Sequence, residues 1–323
     1  MERSAPPTWC PLATTRPARS SNRPSKPNQR QSLPPGRTAI ASTDASQSIT
    51  VRAVARIGAS VIAAVAALGR FVDFALETVR GFGSLRAWTR WDRLGRQLFF
   101  IGTMSVPVLA ITGAFIGMIL AIEGYMQFAQ IGQQARLGGV INISLTKQIG
   151  PVLAAVILAG RVGCSLTAEL GSMRVTEQLD AMRALGSNPI RVLVCPRVAA
   201  CVLMIPLLVT VSNACGVVGG WFVTTKIYDA NSDQFWQYSA ALVTWFDLFN
   251  GIFKSLIFGF AIGLISCYKG FTCKPGAEGV GKATTDSFVT SFIVIIALNL
   301  VLAKFLNDVD LWRNGGVLRA VFA

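Results

Sequence analysis

Charge is absent over long distances along this chain and then returns in clusters. Residues 98–125 hold one charged side chain, Glu123; residues 137–160 hold Lys147; residues 249–268 hold Lys254; residues 198–225 and 287–303 hold none. Each run is about as long as the roughly 20 residues that cross a hydrocarbon core, with 287–303 near the short limit. The pattern predicts five transmembrane helices, so the two termini face opposite sides. Ahead of them, residues 57–69 are uncharged but too short to span, and Arg70, Asp73 and Glu77 follow. That predicts an amphipathic helix over 57–80 lying in the membrane interface; a sixth span is the alternative. The expected fold is an all-α integral membrane protein, with an N-terminal interfacial helix and about five transmembrane helices.

Composition agrees. Of 323 residues 52% are hydrophobic and 14% charged, and the mean hydropathy is +0.51; a soluble domain carries about 25% charge. The net charge of +14 raises nucleic acid as a partner. The basic residues, however, gather in the first hundred positions and in the short loops, which is the positive-inside pattern. Between and beyond the spans, one side carries 13 Lys and Arg and the other 5. The first side is therefore read as cytoplasmic, with the N-terminus inside, and no nucleic-acid role is expected.

Residues 1–50 are rich in Pro, Ser, Thr and Arg, with only Glu2 and Asp44 acidic. They read as a disordered basic tail without the apolar core of a secretory signal. An organelle transit peptide and a bacterial tail fit this composition equally. The organisation expected is then the tail (1–50), the interfacial helix with a basic linker (51–97), the membrane domain (98–308) and a C-terminal tail (309–323).

The chain has no His, and its seven Cys form no CxxC pair. Neither metal nor disulfides are expected; the cysteines read as small buried hydrophobes. Residues 276–282, GAEGVGK, match the start of a phosphate-binding loop, but Ala283 stands where Ser or Thr should hold magnesium. A membrane span precedes the motif, and fewer than fifty residues follow it. The glycines read instead as a tight turn, with Thr284, Thr285 or Asp286 capping the last span. Gly216, Gly219 and Gly220 permit close helix packing, within one subunit or across a dimer. Pro107, Pro151 and Pro206 interrupt the first three spans.

Between spans two and three, residues 172–185 have helical periodicity. Val175, Leu179 and Met182 form an apolar stripe with Leu185 at its margin. Glu177, Asp180 and Ala184 lie opposite, with Arg174 and Arg183 at the sides. Gly186 and Pro189 stop the helix. From the residues alone this is a solvated connecting helix or a coupling helix that docks on a cytoplasmic ATPase, with its apolar side chains making the contact.

The motifs favour the second reading. Gly160-Arg161-Val162-Gly163, Thr167-Ala168-Glu169-Leu170-Gly171, Glu177-Gln178, Asp180-Ala181, Gly186, Pro189 and Pro196-Arg197 resemble the MlaE/YrbE family of ABC-transporter permeases. Gln148-Ile149-Gly150-Pro151-Val152-Leu153 is similar to the family's ELGPVL, and residues 276–281 with Ala283-Thr284-Thr285 to its second signature. The resemblance covers about residues 90–308. It implies a homodimeric permease that moves phospholipid or a related lipid between envelope membranes. The implied partners are two ATPase subunits, which hold the ATP and Mg, and a substrate-binding protein with an MCE domain. No cofactor is implied on this chain.

The resemblance maps the coupling helix onto Thr176, Glu177, Gln178, Asp180, Met182, Leu185 and Gly186, with Glu177, Gln178 and Asp180 facing the ATPase. The lipid-cavity candidates are Glu123, Tyr125, Lys147, Gln148 and Pro151. Gln148 stands where the family commonly has an acid, which leaves Lys147 to pair with Glu123, to meet a lipid phosphate, or to snorkel. The implied membrane is the bacterial inner membrane, or else the plastid inner envelope. A membrane enzyme acting on lipids and an ion-coupled carrier are the competing classes. The first lacks a catalytic constellation, and the second needs more buried charge than Glu123, Lys147 and Lys254 supply.

Overall fold

In lipid no water is present to satisfy backbone N–H and C=O groups, so long apolar runs must form helices. The computed structural model describes residues 41–82 and 91–313, and among these every regular element is helical. Five helical runs are long and apolar enough to cross a membrane: Leu94–Gln130, Gln134–Val175, Ile190–Lys226, Trp245–Phe271 and Ala277–Trp312. All five extend past the sequence boundaries. Those boundaries follow charge, whereas intrahelical hydrogen bonding continues into the polar interface.

Residues 41–62 form a unit separate from residues 63 onward; everything below concerns the second. Helix α1 is Ala41–Phe82, so the expected disorder to residue 50 is corrected: helix begins at Ala41, in a stretch free of Pro and, until Gly58, of Gly. The rest of the tail, 1–40, the linker stretch 83–90 and residues 314–323 lie outside the described residues. α1 is not among the five membrane-spanning runs. Its later part buries Phe74, Thr78 and Gly81 and exposes Val65, Leu68, Val72, Leu76 and Val79, the division expected of a helix held between protein and lipid.

The first span is α2 (Trp91–Gln130). The second is built from α3 (Leu137–Ser144), α4 (Gly150–Leu158) and α5 (Cys164–Val175), joined by wide π turns at Leu145–Ile149 and Ala159–Gly163. A short helix α6 (Gln178–Ala184) follows. Then come α7 (Cys195–Lys226), α8 (Ser232–Leu242), α9 (Trp245–Phe271) and α10 (Ala277–Arg313).

α2 and α7 pack through small residues. A methyl group on Gly117 would collide with the Gly216 carbonyl, and one on Gly219 with the Ala114 carbonyl. The glycines of α7 therefore serve packing inside the subunit, where backbones approach closely. A polar knot closes the other end of the bundle. Thr167 Oγ1 lies 2.9 Å from Gly163 O, 3.0 Å from Ser266 O and 2.9 Å from Ser287 Oγ, linking α5, α9 and α10. Outward faces carry apolar side chains: Phe115 and Ile119 on α2, Ile293 and Leu300 on α10 are exposed, as a lipid solvent requires.

Two local expectations change. The start of α10 lies at Ala277, after Gly276 with φ +96°. Thr284 and Thr285 thus sit inside the helix, bonding back to Gly281 O, and with Asp286 they cap nothing. The helix expected over 172–185 is broken at Glu177, whose φ is +58°. Thr176 Oγ1 bonds Ser172 O at 2.9 Å, and the left-handed Glu177 redirects the chain so that Leu179, 0% exposed, enters the core. That burial offsets the strain of a non-glycine residue at positive φ.

The α2–α7 contact yields a test. Gly117→Leu should destabilise the protein by about 1–3 kcal/mol through overpacking, read as a lower thermal midpoint in detergent. Gly281→Ala, where nothing lies within 4 Å of an added methyl, should leave the midpoint unchanged or raise it slightly.

Candidate functional site

Two groups of residues depart from plain lipid-facing or core helix. One is the loop between spans two and three; the other is a polar cluster inside the membrane domain.

The loop is anchored from within. Leu179 is fully buried in a cluster with Phe74, Leu170, Val194 and Phe271, and Met182 packs against it half-buried. Of the apolar stripe, Leu179 and Met182 pack into this cluster, while Val175 is half-buried outside it. The outward apolar side chain is Leu185, 84% exposed. Glu177 and Gln178 are exposed beside it. Asp180 is exposed too, but its Oδ1 is held by Arg183 at 2.9 Å and by Arg174 at 3.8 Å. Gly186, φ +72°, ends α6: its N–H bonds Arg183 O and the Ser187 N–H bonds Met182 O, the pairing of a Schellman cap.

The sequence reading missed what joins this loop to α1. Asn188 Nδ2 donates to Glu77 Oε1 at 2.7 Å, while Asn188 Oδ1 accepts from the Ile190 N–H at 3.0 Å. Gly81 lies so close to Cys195 that an added methyl would meet its Sγ at 2.5 Å. A cleft of about 380 Å³, lined by Glu77, Arg183 and residues 186–190, opens here. Below it, Arg197 on α7 donates to Glu169 on α5 at 2.6 Å. Arg197 is 4% exposed, and its remaining guanidinium nitrogens have no hydrogen-bond partner among the described residues. Cys273 is set against Gly171 O at 3.6 Å. Burial raises its thiol above the ordinary value despite the nearby Arg174. The cysteines among the described residues are free.

The second group begins with a missing donor. Pro151 has no N–H, so the carbonyl four residues back, Lys147 O, loses its helical partner. Lys254, 1% exposed on α9, supplies one: its Nζ donates to Lys147 O at 3.2 Å and to Gln148 Oε1 at 2.6 Å. A methyl on Gly251, one turn before Lys254, would collide with Thr146 O, so α9 is seated directly on the π turn. The Lys147 ammonium points elsewhere, to Asp247 at 3.4 Å and Asp310 at 3.6 Å. Asp247 also closes a capping box with Thr244 at the start of α9. Among the described residues neither amide atom of the buried Asn250 has a hydrogen-bond partner, nor does Asn213 Oδ1, which abuts Gly150.

The structure thus brings together Lys147, Gln148 and Pro151, and adds Asp247, Asn250, Lys254 and Asp310. Glu123 and Tyr125 are elsewhere. Glu123 is exposed on α2, and Tyr125 stacks on Tyr228 with ring centroids 3.9 Å apart. Lys147 pairs with aspartates, not with Glu123. Lys254 was visible in the sequence as a lone charge, whereas Asp247 and Asp310 fall just outside the uncharged windows. No group of three metal-ligating side chains occurs among the described residues.

The Lys254–Gln148 bond can be tested directly. Gln148→Glu gives the ammonium an anionic partner and should raise the thermal midpoint by a few degrees. Gln148→Leu leaves it one acceptor short and should cost about 1–3 kcal/mol. Equal midpoints for both variants would contradict this geometry.

Comparison with known proteins places these features in a family. The family model described as Permease MlaE matches residues 94–305. A probable ABC transporter permease protein of Rickettsia prowazekii is 43% identical over 209 residues, 65% of this chain and 81% of that protein. The intermembrane phospholipid transport system permease protein MlaE of Haemophilus influenzae is 32% identical over 257 residues, 79% of this chain and 98% of that protein. A probable ABC transporter permease protein of Porphyra purpurea is 38% identical over 213 residues, 66% of this chain and 81% of that protein.

Proposed function

Because this chain belongs to the MlaE permease family, a family of membrane permeases rather than enzymes, we propose that it carries phospholipid between two envelope membranes as the permease subunit of an ABC transporter. A separate ATPase subunit supplies the energy and holds the ATP and Mg. The observation that carries the reading is the loop at α6. One side is locked into the core by Leu179, while Leu185, Glu177 and Gln178 are presented outward. An apolar knob ringed by polar side chains is what a docking interface requires.

The lipid would meet the polar cluster. A phosphodiester can replace Asp247 or Asp310 beside the Lys147 ammonium, and the unpartnered Asn250 amide offers both a donor and an acceptor. The working unit is a homodimer with two ATPase subunits and an MCE-domain protein on the outer face. The excess of Lys and Arg on the α6 side supports a cytoplasmic N-terminus in a bacterial inner membrane. A plastid inner envelope is the second reading, favoured by the acid-poor, Arg- and Ser-rich residues 1–50.

Two substitutions separate docking from folding. Glu177→Gly keeps the left-handed turn and removes the side chain; Leu185→Asp removes the knob. Both should leave the solubilised protein's thermal midpoint nearly unchanged. Leu185→Asp should reduce co-purification of the ATPase by at least tenfold, as for an interface anchor worth about 2 kcal/mol. Glu177→Gly should lower lipid-stimulated ATP hydrolysis. Full ATPase binding and turnover in both variants would refute the coupling role of this loop.

A further inference from the structure

A crevice separate from the polar cluster lies between α1, α9 and α10. It encloses about 500 Å³ and is lined by Leu68 and Phe71 of α1, by α9 from Ile257 to Lys269, and by α10 from Thr290 to Leu298. Apart from Lys269, the lining is almost wholly apolar. Its length is informative. Twelve residues separate Ile257 from Lys269, about 18 Å at the helical rise. Half of a hydrocarbon core of roughly 30 Å is about 15 Å, so the crevice is one leaflet deep.

Lys269 stands at its mouth, in the last turn of α9, half-buried and without an ion pair among the described residues. A methylene-length slot ending in an unbalanced ammonium matches one molecule class: a membrane lipid with a chain in the slot and a phosphate at the rim. The side of the membrane carrying the excess of basic residues is where acidic lipids are attracted.

We propose that this crevice is a binding site for one acidic phospholipid of the α6-side leaflet, with an acyl chain between α1 and α9 and its phosphate on Lys269. The crevice shares no lining residue with the polar cluster around Lys147. Phe71 and Tyr268 join it to the core under α6: both rings pack against the cluster that holds Leu179, and they meet edge to face at 5.2 Å. A bound chain therefore braces α1 against the same side chains that anchor the loop.

The test counts bound lipid. Full-length protein is purified in mild detergent, mixed with equal amounts of phosphatidylglycerol and phosphatidylcholine, and measured by native mass spectrometry. Wild type should retain phosphatidylglycerol preferentially. Ala261→Trp, which fills the slot, should reduce the count by one lipid per chain. Lys269→Gln should keep the fold and lower the preference for phosphatidylglycerol about fivefold, the effect of one basic residue at an anionic surface. Lys147→Met should leave this site unchanged, so failure here is distinguishable from failure of the carried-lipid reading. Unchanged lipid counts and preference in both crevice variants would overturn the proposal. So would efficient disulfide cross-linking between copies bearing Ala261→Cys, since a second copy would then fill the crevice.

Discussion

A proline in the second span creates a carbonyl without a donor, and much of the membrane domain is arranged around satisfying it. The donor comes from another helix, through Lys254. Accepting that ammonium requires α9 to lie tight against the π turn, which the lack of a side chain at Gly251 permits. Holding it also requires a second oxygen, and Gln148 provides one. The Lys147 side chain is then free to turn toward Asp247 and Asp310. One backbone vacancy thus draws α3–α4, α9 and α10 together and concentrates charge where lipid would otherwise exclude it. Such a cluster is costly to bury and strongly penalised if broken.

The five crossings were legible because lipid penalises charge so heavily that hydropathy alone marks them. Their ends were not, since a helix in the interface keeps its own hydrogen bonds whatever its side chains. The same limit hid Asp247 and Asp310. Asp247 lies two residues before the run 249–268 and Asp310 seven beyond 287–303, and each looks like a boundary residue until three helices are assembled. Lys147, Gln148 and Pro151 were readable as candidates from their neighbours in sequence. Glu123, equally conspicuous as a lone charge, is exposed on the far part of α2; a lone charge marks a cost, and only packing reveals whether it is relieved by partners or by the surface.

At the loop, periodicity predicted one helix where there are two. Glu177 carries no turn signal, and the apolar spacing from Val175 to Met182 is unbroken. What decides is tertiary: Leu179 is buried against Phe74 and Phe271, and reaching them requires a change of direction that a straight helix cannot make. Two of the three side chains of the stripe, Leu179 and Met182, are thereby covered within the chain itself. Periodicity identifies a face that will be covered, not what covers it. The covering surface here includes α1, which sequence had treated as a separate interfacial element.

That assembly has a mechanical consequence. The run Gln134–Val175 carries the polar cluster near Lys147 and ends at the turn before α6. No loop lies between them to absorb a displacement. The α-helical hydrogen bonding of the run is interrupted by the π turns at Leu145–Ile149 and Ala159–Gly163. The first is clamped by Lys254; the second enters the polar knot, where Gly163 O meets Thr167. On the other flank Glu169 is tied to Arg197 on α7, and Asn188 to Glu77 on α1. Short polar links thus tie the flanks of the loop to α1, α5 and α7. In lipid, where apolar burial gives little preference between helix positions, such links are the interactions able to set which arrangement of the spans prevails.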